Sequence, residues 1–150
     1  MEWIYNDGGR KAAGYRGEVD DCVVRSVAIV TGRPYKEIYN ELKDIMQFWQ
    51  YRKQFTFATR REKSPRFGVS KKITKDYLYD LGFEWTPTMK IGTGCKVHLV
   101  ADELPSGKLI ASVSKHLVAV IDGVIHDTFD PSRDGTRCVY GYWMQASASR

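Results

Sequence analysis

A cysteine at the opening of an apolar helix, a histidine at the start of a strand and an aspartate on the following strand are the residues here whose types could do chemistry. They are Cys22, His116 and Asp127. A thiol in the first turn of a helix faces unpaired amides and the positive end of the helix dipole, which favour a thiolate and can bind an oxyanion. Given a histidine to move its proton and an acid to orient that histidine, such a thiolate attacks acyl carbons. By itself Cys22 reads equally well as a small buried hydrophobe, so the case rests on its partners.

The helix that must carry Cys22 is written in Asp20-Asp21-Cys22-Val23-Val24-Arg25-Ser26-Val27-Ala28-Ile29-Val30-Thr31-Gly32. Val23, Val27 and Val30 recur at helical spacing, an aspartate precedes the run where an N-cap belongs, and Gly32 suits its end. His116 and Asp127 are positioned by a hairpin. Asp122-Gly123 signals a two-residue turn that pairs Ile121 with Val124 and fixes every later pair. His116 then lies opposite Phe129 and Val118 opposite Asp127, so His116 and Asp127 share one face as diagonal neighbours, while His126 and Asp130 fall on the other. The imidazole thereby gains an acceptor that sets its tautomer.

Two more helices are expected before the sheet. Pro34 opens one whose face carries Tyr35, Ile38, Leu42, Ile45 and Met46, ending near Gln47. Ser70 caps another bearing Ile73, Tyr77, Leu78 and Leu81, with Gly82 as its stop. The glycine-rich residues 6–17 read as irregular, residues 83–86 as extended and residues 96–104 as a short helix with His98 on its surface. Strands are expected over residues 108–113, 116–121, 124–129 and 139–143. Helices first and an antiparallel sheet last give an α+β fold, one domain over 1–150, with the nucleophile helix packed on the sheet.

No run approaches the roughly 20 apolar residues of a membrane-spanning helix, and Met1–Asp7 lacks the features of an export signal. Three cysteines, Cys22, Cys95 and Cys138, cannot all pair within one chain and lack zinc-knuckle spacing. Reduced thiols in a cytoplasm are expected, with Cys95 and Cys138 structural and no metal or cofactor. The net charge of +5 is concentrated: between positions 52 and 75 stand Arg52, Lys53, Arg60, Arg61, Lys63, Arg66, Lys71, Lys72 and Lys75 against Glu62 alone. This segment is either a solvated face or a patch for phosphates or acidic proteins. It supplies a second functional class, a binding module for nucleic acid or an acidic protein partner.

The order of Cys22 on a helix, His116 opening a strand and Asp127 on the next resembles the papain-like cysteine peptidase fold. More closely, Asp21-Cys22-Val23-Val24-Arg25-Ser26-Val27-Ala28 with Gly32-Arg33-Pro34-Tyr35, and later His116-Leu117-Val118-Ala119-Val120 with His126-Asp127-Thr128-Phe129-Asp130-Pro131, resembles small uncharacterised bacterial and phage proteins of that clan. The resemblance implies a thiol hydrolase that cleaves an amide or isopeptide bond in a peptide or protein, or transfers the acyl group. In the bacteriocin-processing branch the acid often precedes a proline, which would select Asp130; the hairpin face selects Asp127. Papain-like peptidases also place a glutamine shortly before the nucleophile. Residues 16–21 here contain none, which leaves Asn6 and Arg16 as candidate oxyanion donors beside the Cys22 amide. Asp20 and Asp21 next to the thiol would oppose a thiolate by like charge.

Overall fold

A computed structural model describes residues 1–16, 20–52 and 64–146. Helices α1 (Cys22–Thr31), α2 (Tyr35–Arg52) and α3 (Lys71–Asp80) accompany strands β1 (Trp3–Tyr5), β2 (Phe83–Pro87), β3 (Lys108–Val113), β4 (His116–Ile121), β5 (Val124–Asp127) and β6 (Gly141–Gln145). The strands form one sheet in the order β1-β5-β4-β3-β6-β2, so the fold is α+β. The hairpin turn behaves as its residues require. Asp122 and Gly123 take φ of 48° and 78°, the left-handed pair of a type I′ turn. Ile121 pairs with Val124, Val120 with Ile125 and Ala119 with His126, the expected register.

Helix α1 is held by apolar burial on several sides. Val24 and Val27 are fully buried in a cluster with Ile38 and Leu42 of α2, Leu78 of α3, and Ile110, Ala119 and Trp143 of the sheet. Each such side chain contributes on the order of 1.5–3 kcal/mol by leaving water. A second cluster joins Leu109, Val118, Val120 and Ile125 to Leu99, Leu104 and Val139. With apolar packing in both clusters, β4 and β5 are tied to the rest of the chain along their length, and α1 packs directly against both. Ser70 caps α3 as expected, its Oγ accepting the Ile73 amide at 3.2 Å.

Several expectations need correction. The sheet is mixed rather than antiparallel, because β1 runs parallel to β5 with Trp3 beside Ile125 and Tyr5 beside Asp127. Strand β5 stops at Asp127, β6 starts at Gly141, and α2 continues past Gln47 to Arg52. Residues 96–104 are not a helix, and only Ala101–Glu103 makes a 3-10 turn. Extended pairing claims the rest: the Leu99 amide donates to the Arg137 carbonyl and the Val139 amide to the Val97 carbonyl, each at 2.8 Å. Branched Val97 and Val100 suit that backbone better than a helix. The same pairing bridges His98 to Cys138 and brings Cys95 and Cys138 into a disulfide with Cα atoms 5.8 Å apart. Reduced thiols are therefore the wrong expectation for these two cysteines, and the inference to a cytoplasm drawn from them loses its basis. Among the described residues no helix is long and apolar enough to cross a membrane.

Candidate active site

The antiparallel register puts the start of β4 and the end of β5 at the same edge of the sheet, and the first turn of α1 meets them there. Cys22, the first residue of α1, is half-buried and is the free cysteine of the described chain. The N-cap position is Asp21, yet its carboxylate makes no cap bond. This corrects the capping expectation: the Asp21 side chain is turned instead toward Arg25, with which it forms a buried ion pair, and accepts from the Tyr35 hydroxyl at 2.5 Å. The first amides of α1 consequently receive nothing from the cap side chain.

His116 and Asp127 meet as the hairpin requires. The Nε2 of His116 lies 2.6 Å from Oδ2 of Asp127, in a pair whose side chains are 9% and 3% exposed. A carboxylate only accepts, so Nε2 carries the proton and donates it. Burial, the largest influence on His116, lowers its pKa; the hydrogen bonds to Asp127 and to Cys22, with the charges of both, override it and hold the pKa at about 9. The Phe129 ring stands beside the imidazole at 5.1 Å between centroids, just beyond the end of β5.

Arg25 is the site residue that pattern reading missed. It joins the two acids, pairing with Asp21 and placing Nη2 3.3 Å from Oδ1 of Asp127. Asp21, Arg25 and Asp127 are all nearly inaccessible, at 1%, 7% and 3% exposure. Buried charges persist only when paired and hydrogen-bonded, and here the chain Asp21, Arg25, Asp127, His116 alternates in sign. The repulsion expected between Asp21 and a thiolate is thus offset by Arg25. The signal was present in the sequence: a charge four residues after Asp21, inside a helix whose other residues are almost all apolar. The rest of Asp127 is fixed too. The Thr128 amide donates to Oδ1 at 2.7 Å, while the Trp3 indole and the Asn6 amide donate to its carbonyl at 3.1 and 2.9 Å.

Other candidates lie elsewhere. Asp130 accepts the Ser132 amide at 3.0 Å in a turn and makes no bond to His116. The Asn6 carboxamide is engaged with His126 Nδ1 at 3.3 Å and with the Gly8 amide, and exposed Arg16 offers its carbonyl to Arg66. Neither is bonded to Cys22, so the second oxyanion donor expected from them is not supplied in this arrangement. His98 has an acid of its own, Glu103, with Nδ1 3.2 Å from Oε1. Of the basic segment, residues 53–63 lie outside the described residues. Within the remainder, Lys72 pairs with Asp76 at 3.1 Å and lies over the Trp49 ring, and Lys75 lies over the ring of Tyr79. These are helix-surface contacts with near neighbours.

An open cleft of about 540 Å³ leads to His116, and Asp20, Arg25, Ser114, Thr128 and Phe129 contribute to its walls. The chain matches no protein-family model, no curated protein and no solved structure.

Proposed function

We propose that this protein is a papain-like cysteine hydrolase acting on an amide or isopeptide bond of a peptide or protein. The observation that carries the reading is a largely buried His116 whose Nε2 lies 2.6 Å from Asp127 Oδ2 and whose raised pKa reflects both Asp127 and Cys22. At neutral pH a histidine with a pKa near 9 is mostly imidazolium, and a cation beside a thiol at a helix N-terminus favours the thiolate. Cys22 Sγ attacks the acyl carbon, the oxyanion forms near the amides of the first turn of α1, and the leaving amine takes a proton from His116. Water, activated by the neutral imidazole, then releases the acid and regenerates the thiol; an amine in place of water gives acyl transfer. Asp127 keeps the ring oriented, and Arg25 keeps Asp127 in place.

The experiment is alkylation of Cys22 by iodoacetamide near pH 7. With Cys95 and Cys138 paired, the label reports Cys22 directly. Labelling many-fold faster than that of glutathione, and slowed in His116→Ala, is the expected result. A rate like that of glutathione, indifferent to His116, sinks the proposal.

A further inference from the structure

The cleft that leads to His116 is cationic beyond the needs of the buried chain. Lys115, Arg133 and Arg137 line it, and Asp20 is the acid among the lining residues. None of the three cations forms a salt bridge within the described residues. Arg137 is locked by backbone carbonyls, donating through Nη2 to Ser114 and approaching Pro131 through Nη1 at 3.5 Å, while its buried Nε has no partner. Carbonyls fix the guanidinium without cancelling its charge. Burial pulls the pKa of Arg137 down, and repulsion from Arg133 adds to it. Lys115 and Arg133 also occupy left-handed backbone, with φ of 57° and 52°, where a residue other than Gly or Asn costs about 1–2 kcal/mol. Phe129, an exposed apolar surface, lines the same cleft beside the imidazole.

Like charges gathered in excess beside a reactive group are relieved by a ligand of opposite sign. We propose that this cleft selects substrates of Cys22 that carry an oxyanionic group, a carboxylate or a phosphate, which Lys115, Arg133 and Arg137 hold while Phe129 packs against the adjoining apolar part. The proposal rests on the cysteine-hydrolase reading and names its substrate class. Guanidinium groups suit either oxyanion, since both present paired acceptor oxygens.

The test compares two alkylating agents on the intact protein. With either iodoacetate or iodoacetamide the Cys22 sulfur bonds to the CH2 carbon and expels iodide to solvent, but only the first carries a carboxylate. At low salt the ratio of the iodoacetate rate to the iodoacetamide rate is expected to exceed that of glutathione by about tenfold, the lower range for electrostatic steering into a cleft. In about 1 M salt, where the screening length is about 3 Å, it falls to the glutathione value. The double variant Lys115→Asn, Arg133→Asn lowers it likewise, asparagine being tolerated in the left-handed region. Inorganic phosphate and acetate, titrated separately, slow the iodoacetate reaction, and the one effective at lower concentration identifies the preferred group. A ratio equal to that of glutathione at low salt, or labelling that neither anion slows, overturns the anion site. Slow labelling by iodoacetamide removes the hydrolase reading itself, whereas rapid labelling without charge preference removes only this inference.

Discussion

The described residues contain two histidine–carboxylate pairs, and they have little in common beyond composition. His98 and Glu103 meet at 3.2 Å with both side chains 37% exposed. His116 and Asp127 meet at 2.6 Å in near-complete burial, and Asp127 is held further by Arg25 and by the Thr128 amide. An exposed pair trades hydration for a weak, screened contact. A buried pair has no water to fall back on, so each member depends on its neighbours for a partner and the geometry becomes fixed. That difference, rather than the presence of an imidazole beside a carboxylate, is what favours the buried pair as the proposed partner of a thiol.

The strongest way to break the comparison is to remove what only the buried pair serves. Cys22→Ala is expected to lower any hydrolase activity by at least about 10⁴-fold, in the manner of other nucleophile deletions. Thermal unfolding should change little, because the residue is small and half-buried; a variant that fails to fold would show the cysteine to be structural. Next in size is Arg25→Met, which removes the cation shared by buried Asp21 and Asp127 and leaves Asp21 only the cation Arg10 at 3.6 Å and Asp127 only His116. Denaturant unfolding should show a loss of about 3–5 kcal/mol. An unchanged midpoint would mean that the ion-paired chain adds nothing to the fold.

Stability should also follow the protonation of His116. Its folded pKa of about 9 lies above the ordinary value of 6.5. The raised pKa means that the folded state binds the proton more tightly. The resulting stabilisation, up to about 3 kcal/mol, is fully present below pH 6.5 and disappears as pH rises through about 9. Unfolding free energies measured from pH 6 to 10 should show this decline in the native chain and lose it in His116→Gln. Asp127→Asn is expected to reduce activity by about 10 to 100-fold, less than in serine hydrolases because a thiolate–imidazolium pair needs its orienting group less. Asp130→Asn should do less, since in its turn either side chain accepts the Ser132 amide. If Asp130→Asn is the more damaging of the two, the acid is misassigned.

How far this site could be read in advance depends on how local each determinant is. The hairpin was legible because Asp122-Gly123 specifies a turn whose register carries His116 to Asp127 with no further information. Helix α1 was legible from its valines. Arg25 was not, because a charge in an apolar helix finds its partner only once β5 is folded beside it. Strand β1 is three residues long, and its parallel pairing with β5 spans most of the chain, beyond any periodicity. The Cys95–Cys138 disulfide likewise follows from the pairing of residues 97–99 with residues 137–139, which overrode the short helix that local pattern suggested there.

The smallest expected effect belongs to the exposed pair, and it sharpens the comparison from the other side. Glu103→Gln removes the charge but keeps the size and an accepting oxygen. That oxygen can still take the His98 amide, which Oε1 accepts at 3.3 Å, as well as an Nδ1–H proton. What is lost is the charged part of an accessible contact, worth about 0.2–1 kcal/mol and less in salt. Chemical denaturation should therefore place the variant within about 1 kcal/mol of the native chain, and the rate of Cys22 alkylation should be unchanged. The same replacement at Asp127 disturbs both measurements, because an amide there withdraws charge from Arg25 and His116 together, and both are buried. Equal effects of Glu103→Gln and Asp127→Asn on the alkylation rate would show that burial and the third partner do not distinguish the two pairs, and the assignment of His116 as the base would fall with that distinction.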